Sequence, residues 1–73
     1  MSTMEKLNDL TIVRKYAQTK RERIYNNPLM RDDIKQTIIS YVTDTENLFE
    51  RNFLTLDEAV RRIANAACYA LEA

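Results

Sequence analysis

Histidine, glycine and tryptophan are absent from this 73-residue chain, which holds one cysteine and one proline. Each absence excludes something. Without His, the commonest general base at neutral pH and the commonest metal ligand are missing. Without Gly there is no phosphate-cradling glycine loop and no tight type I′ hairpin turn. A single thiol, Cys68, forms no intramolecular disulfide, which fits a reducing cytosol. Lys/Arg and Asp/Glu number 11 each, so no global attraction to nucleic acid or to an anionic membrane is expected. No window approaches the roughly 20 apolar residues of a membrane span, and Met1 to Lys6 lacks the apolar run of a signal peptide. The expectation is a cytoplasmic protein with no membrane contact and no cofactor.

What is present points to helices. A hydrophobic fraction of 45% suits a small core, and 30% charged residues argue against disorder. From Met30 to Phe49, the residues Met30, Ile34, Ile38, Tyr41, Val42, Thr45, Leu48 and Phe49 recur at intervals of three and four. At 100° per residue they share one side of a helix. One helix cannot cover its own stripe, so the flanking segments must pack on it.

Ser2 with Glu5 fits a capping box for a first helix to about residue 24, with Leu7, Leu10, Val13, Ala17 and Ile24 facing inward. Asn26 and Asn27 end it, since Asn tolerates the left-handed conformation. Asn27 then caps a second helix that has Pro28 at its first position and runs to about residue 52. The short connection makes the pair an antiparallel hairpin. Thr55 with Glu58 forms a second capping box, with Leu54 and Ala59 placed for a hydrophobic staple. A third, Ala-rich helix follows over 56–71, burying Leu56, Ala59, Val60, Ile63, Ala67, Ala70 and Leu71. The predicted fold is one all-α domain over 1–73, with helices at about 3–24, 28–52 and 56–71.

Charge is unevenly placed. Residues 1–35 carry eight Lys/Arg against five Asp/Glu, and residues 36–73 carry three against six. The two halves are therefore of opposite sign, attracting each other within one molecule or between neighbours.

Two side-chain sets stand out as binding candidates. Within the basic run Arg14, Lys15, Lys20, Arg21 and Arg23, the residues Tyr16, Lys20 and Arg23 lie within about 60° on the helical wheel. A ring beside two cations suits stacking and phosphate contact, although charge runs more often form a solvated face. On the last helix Arg62, Asn65 and Tyr69 stand three and four apart, away from the alanine stripe. Tyr and Arg are favoured at binding hot spots. Ile12, Leu29, Ile39 and Phe53 are left over once the core is assigned, and spare apolar residues on so short a chain suggest self-association into a homo-oligomer.

Other constellations read as structural. Asp32-Asp33 and Asp57-Glu58 complement helix N-termini, and Cys68 sits near a helix C-terminus, where the dipole disfavours a reactive thiolate. No set amounts to an active site, so catalysis is not expected. DNA binding by a helix-turn-helix is disfavoured, since the first two helices are too long and the last offers only Arg61 and Arg62.

The segment Leu54-Thr55, Glu58 and Ala64-Asn65-Ala66-Ala67 resembles the last helix of the hairpin domain in phage anti-CBASS cyclic-nucleotide sponges. Those helices open on L-T-x-x-E and close on A-N-A-A. The likeness spans residues 54–67, and Ile63 stands where the family usually carries Trp. The resemblance implies a non-enzymatic oligomer that binds cyclic di- or trinucleotides between subunits and keeps them from a host immune effector. The residues alone point to a small helical adaptor or inhibitor that self-associates and binds another protein. Tyr16, Lys20, Arg23, Arg62, Asn65 and Tyr69 would meet either partner.

Overall fold

The computed structural model describes residues 3–72, with side chains from Lys6 onward. Among the described residues there are four helices and no strand: α1 (Thr3–Tyr25), α2 (Asp32–Glu50), α3 (Leu56–Ala64) and α4 (Ala66–Glu72). The Ser2–Glu5 capping box lies outside the described residues.

The predicted stripe makes α2 the spine. Ile38, Val42, Thr45 and Phe49 are buried along it, with Ile34 and Tyr41 half-buried beside them. Val13, Ala17 and Ile24 of α1 and Ala59 and Ile63 of α3 complete the core with Ala66 of α4. The Thr45 hydroxyl donates to the Tyr41 carbonyl at 2.9 Å, so this buried polar group keeps a partner. α1 lies antiparallel to α2, as contacts from Lys6 to Phe49 and from Lys35 to Tyr25 show. α3 packs on both α1 and α2, whereas α4 packs on α2 and meets α3 at their junction.

The connection between α1 and α2 differs from expectation. Asn27 Oδ1 accepts from the Leu29 amide at 3.0 Å, and the Asn27 carbonyl accepts from Met30 at 3.4 Å. Asn27 therefore closes a turn through Pro28 instead of capping a helix, and α2 starts at Asp32 after Arg31, whose side chain makes no cap bond. Asn serves both uses equally well in sequence.

The left-handed residue stands at the other end of α2. Asn52 has φ 67°, with its amide donating to Phe49 and the Phe53 amide donating to Leu48 at 2.9 Å. These two bonds are the Schellman pattern that closes orphan carbonyls. A β-branched side chain is strained there, so Asn52→Val should lower stability by about 1–2 kcal/mol while Asn52→Gly costs nothing. Urea midpoints of the two variants check this.

α3 opens as predicted, with Thr55 Oγ1 accepting from the Glu58 amide and Glu58 Oε1 accepting from the Thr55 amide, both at 3.1 Å. Its end was not predicted. The expected single helix is divided at Asn65, whose side-chain amide donates to the Arg61 carbonyl at 3.1 Å beside its own backbone N–H. Such side-chain competition bends helices. The bend also changes which face is inside. Ala66 is fully buried, Ala67 and Ala70 are half-buried, and Leu71 is exposed. Leu7, expected inside on α1, is exposed as well.

Candidate binding surfaces

Two of the five residues of the basic run on α1 hold the hairpin. Arg21 Nη1 pairs with Glu46 Oε1 at 2.8 Å, and Arg14 pairs with Glu46 at 3.8 Å and with Glu50 at 3.2 Å. The positive first half and negative second half thus meet within one molecule. Arg14 and Arg21 face α2, and Tyr16, Lys20 and Arg23 lie on the flank of α1 turned away from these pairs.

Lys20 has a local role as well. Its Nζ donates to the Ala64 carbonyl, at the end of α3, at 3.3 Å. Two other lysines do the same elsewhere: Lys35 Nζ donates to Tyr25 at the end of α1 at 2.8 Å, and Lys6 Nζ to Phe49 near the end of α2 at 3.1 Å. Lys6 also lies 3.8 Å from the centre of the Phe49 ring. Each lysine supplies positive charge where the dipole of a neighbouring helix is negative, a role that also draws its stem over the core. Tyr16 and Arg23 remain exposed on either side of Lys20.

The second set is partly gathered. Arg62 and Tyr69 line an open groove of about 430 Å³ together with Tyr41, Glu58 and Arg61. The rings of Tyr41 and Tyr69 pack with centroids 6.3 Å apart at 41°. Arg61 is engaged by Asp57 one turn earlier, at 3.0 Å. Arg62 is half-buried and makes no ion pair among the described residues. On the far side of Tyr41 a second groove of about 420 Å³ runs past Gln36, Thr37, Ser40, Asp44 and Ala70. Asn65 is exposed and lines neither groove, and no residue of α1 lines either one. Tyr16, Lys20 and Arg23 therefore lie on one surface and Arg62 and Tyr69 on another, with Asn65 outside that groove. Tyr41 was hidden among the core stripe, although a phenol on an apolar stripe must bring its hydroxyl to an edge.

Glu58 sits at the wall of this groove with its charge committed. Bonds from the Thr55 amide and hydroxyl hold its carboxyl below the ordinary value of 4.5, with smaller help from Arg62 and Arg61. A carboxyl depressed on folding stabilises the fold above its unfolded value and loses that contribution as pH falls through the folded one. Glu58→Gln should keep the cap, because the amide oxygen still accepts, but flatten the fall of stability below about pH 4.5. Melting curves from pH 7 to pH 3 read the difference. Thr55→Ala, which removes the reciprocal acceptor, should cost about 1 kcal/mol at neutral pH.

Among the described residues no group of three His, Cys, Asp or Glu side chains stands close enough to share a metal ion. Cys68 is exposed and free. No family model, curated protein or solved structure matches this chain.

Proposed function

We propose that this chain is a non-enzymatic helical module that self-associates and acts by binding another protein. The observation that carries this is the apolar surface left outside the core. Leu29 is 94% exposed, Phe53 71% and Ile12 51%, and Tyr16 stands exposed one turn from Ile12. Of the four residues left over by the sequence, Ile39 alone packs against the core. Among the described residues ten hydrophobic side chains are buried and eight large ones are exposed, which leaves surface to bury in an assembly. No helix among the described residues is long and apolar enough to cross a membrane, so that surface is not a membrane span. Ile12 and Tyr16 are the first choice for the contact, since they are adjacent on one helix face and Arg23 and Asp9 border them with polar groups.

Ile12→Asp placed in that contact should weaken association at least tenfold and leave the melting temperature nearly unchanged, because the side chain lies outside the core. Light scattering on both proteins over a concentration series is the check. An unchanged mass would move the contact to another part of the surface.

A second reading is favoured by one feature. Half-buried Arg62, without an ion pair among the described residues and beside the Tyr41–Tyr69 pair, suits a ring that carries phosphate. On this reading the chain is a phage-type oligomer that sequesters cyclic nucleotides and blocks host immune signalling. Incubation with cyclic di- and trinucleotides followed by native mass spectrometry separates the two. Ligand masses in fixed ratio to subunits, abolished by Arg62→Gln, would favour the nucleotide reading over the adaptor.

A further inference from the structure

The outer flank of α1 carries opposite charges at its two ends with an apolar patch between them. Asp9, Ile12, Tyr16, Thr19 and Arg23 follow one another at intervals of three and four, so they fall within about 80° on the helical wheel. Ile12 and Tyr16 are exposed, and the Thr19 hydroxyl donates to the Lys15 carbonyl at 3.0 Å, so what Thr19 offers a neighbour is its methyl group. On the two edges of this flank the cations are committed to their own chain: Arg14 and Arg21 to Glu46, and Lys20 to the Ala64 carbonyl. Asp9, half-buried, and Arg23, exposed, make no ion pair among the described residues. Tyr16 stands midway, seven residues from each, so acid and base lie about 10 Å from it in opposite directions along the axis.

We infer that this flank docks on the same flank of a second copy, with the two α1 helices antiparallel and the two-fold axis at Tyr16. The inference rests on the self-association proposed above and names its contact. About such an axis Asp9 of each copy lies opposite Arg23 of the other, and Ile12 of each lies against Tyr16 and Thr19 of the other. The two Tyr16 rings meet at the centre. A parallel pairing would set Asp9 on Asp9 and Arg23 on Arg23, so charge selects the direction. A uniformly acidic or basic partner would satisfy one end of the flank and repel the other, whereas a second copy turned end for end satisfies both. Contact along about 21 Å of helix is short for a permanent dimer, so this one dissociates on dilution. Neither Asp9 nor Arg23 belongs to the core, so their charges can be changed without emptying it.

Reversing either charge should weaken the dimer, and mixing the two variants should restore it. In Asp9→Lys both ends of the contact repel, and so they do in Arg23→Glu. In a mixed pair the introduced lysine faces the introduced glutamate, while the native Asp9 of one chain faces the native Arg23 of the other. Sedimentation equilibrium should show each variant alone associating about tenfold more weakly than the parent and the equimolar mixture returning to the parent's affinity. Both variants should melt within a few degrees of the parent. In a Cys68→Ser chain, Tyr16→Cys should form a disulfide-linked dimer on mild oxidation, and Arg23→Cys, about 21 Å from its counterpart, should not. If each charge variant alone associates as the parent does, or the mixture no more tightly than its components, the antiparallel contact is wrong and association through another exposed surface stands. Arg23→Cys linking as readily as Tyr16→Cys would overturn the contact as well. If the parent is monomeric at every concentration, the contact and the self-association reading fall together.

Discussion

Phe49→Ala should lower the unfolding free energy by about 3–5 kcal/mol, the largest loss expected of any single substitution in this chain. Phe49 is 2% exposed at the end of the α2 stripe, where its ring fills the core and carries the Lys6 ammonium on its edge of the bundle. A domain of this length has only about 4–11 kcal/mol of stability in total, so the variant stands close to unfolding at room temperature. Phe49→Leu, which leaves a smaller void, should lose less. Lys6→Met should lose about 0.5–1 kcal/mol, the share that belongs to the cation over the ring. Urea titrations of the three separate packing from electrostatics, and equal losses for Phe49→Ala and Lys6→Met would contradict this ranking.

Glu46→Ala should be the most costly change to a charged residue, at about 1.5–3 kcal/mol. Its carboxylate receives both Arg14 and Arg21, and the closer partners are sheltered, with side-chain exposures of 16% for Glu46 and 22% for Arg21. Removing it leaves the Arg21 guanidinium half-buried with hydrogen bonds only to Gln18 and Thr43. Glu50→Ala breaks a pair whose members are each about half exposed, at 52% and 50%, and should cost less than about 1 kcal/mol. A double-mutant cycle between Arg21 and Glu46 measures the coupling directly. A coupling near zero would mean that the hairpin is held by its apolar seam alone.

Much of the fold was legible because α2 repeats its apolar residues so regularly and because Thr55 and Glu58 stand at capping-box spacing. Two boundaries were not. Asn27 before Pro28 suits a helix cap and an Asx turn alike, and what decides for the turn is the bond it makes to Leu29, which no periodicity reveals. The bend at Asn65 involves no Gly or Pro, and moving the buried position from Ala67 to Ala66 exchanges one alanine for another, so the stripe hides the change. The candidate residues were legible one helix at a time. Helical phase put Arg62 and Tyr69 on one face and separated Lys20 from Arg14 and Arg21. It did not reveal that Lys20 reaches across to Ala64, or that Tyr41 joins Tyr69, since both depend on how neighbouring helices pack.

Self-association is the claim on which the proposed function stands. Sedimentation equilibrium of the unmodified protein from about 1 µM to 1 mM tests it most directly, since that range covers association free energies of about 4–8 kcal/mol. The exposed Ile12, Tyr16, Leu29 and Phe53 predict a single closed oligomer that dissociates on dilution. A monomer mass across the whole range would contradict the account and return those side chains to ordinary surface.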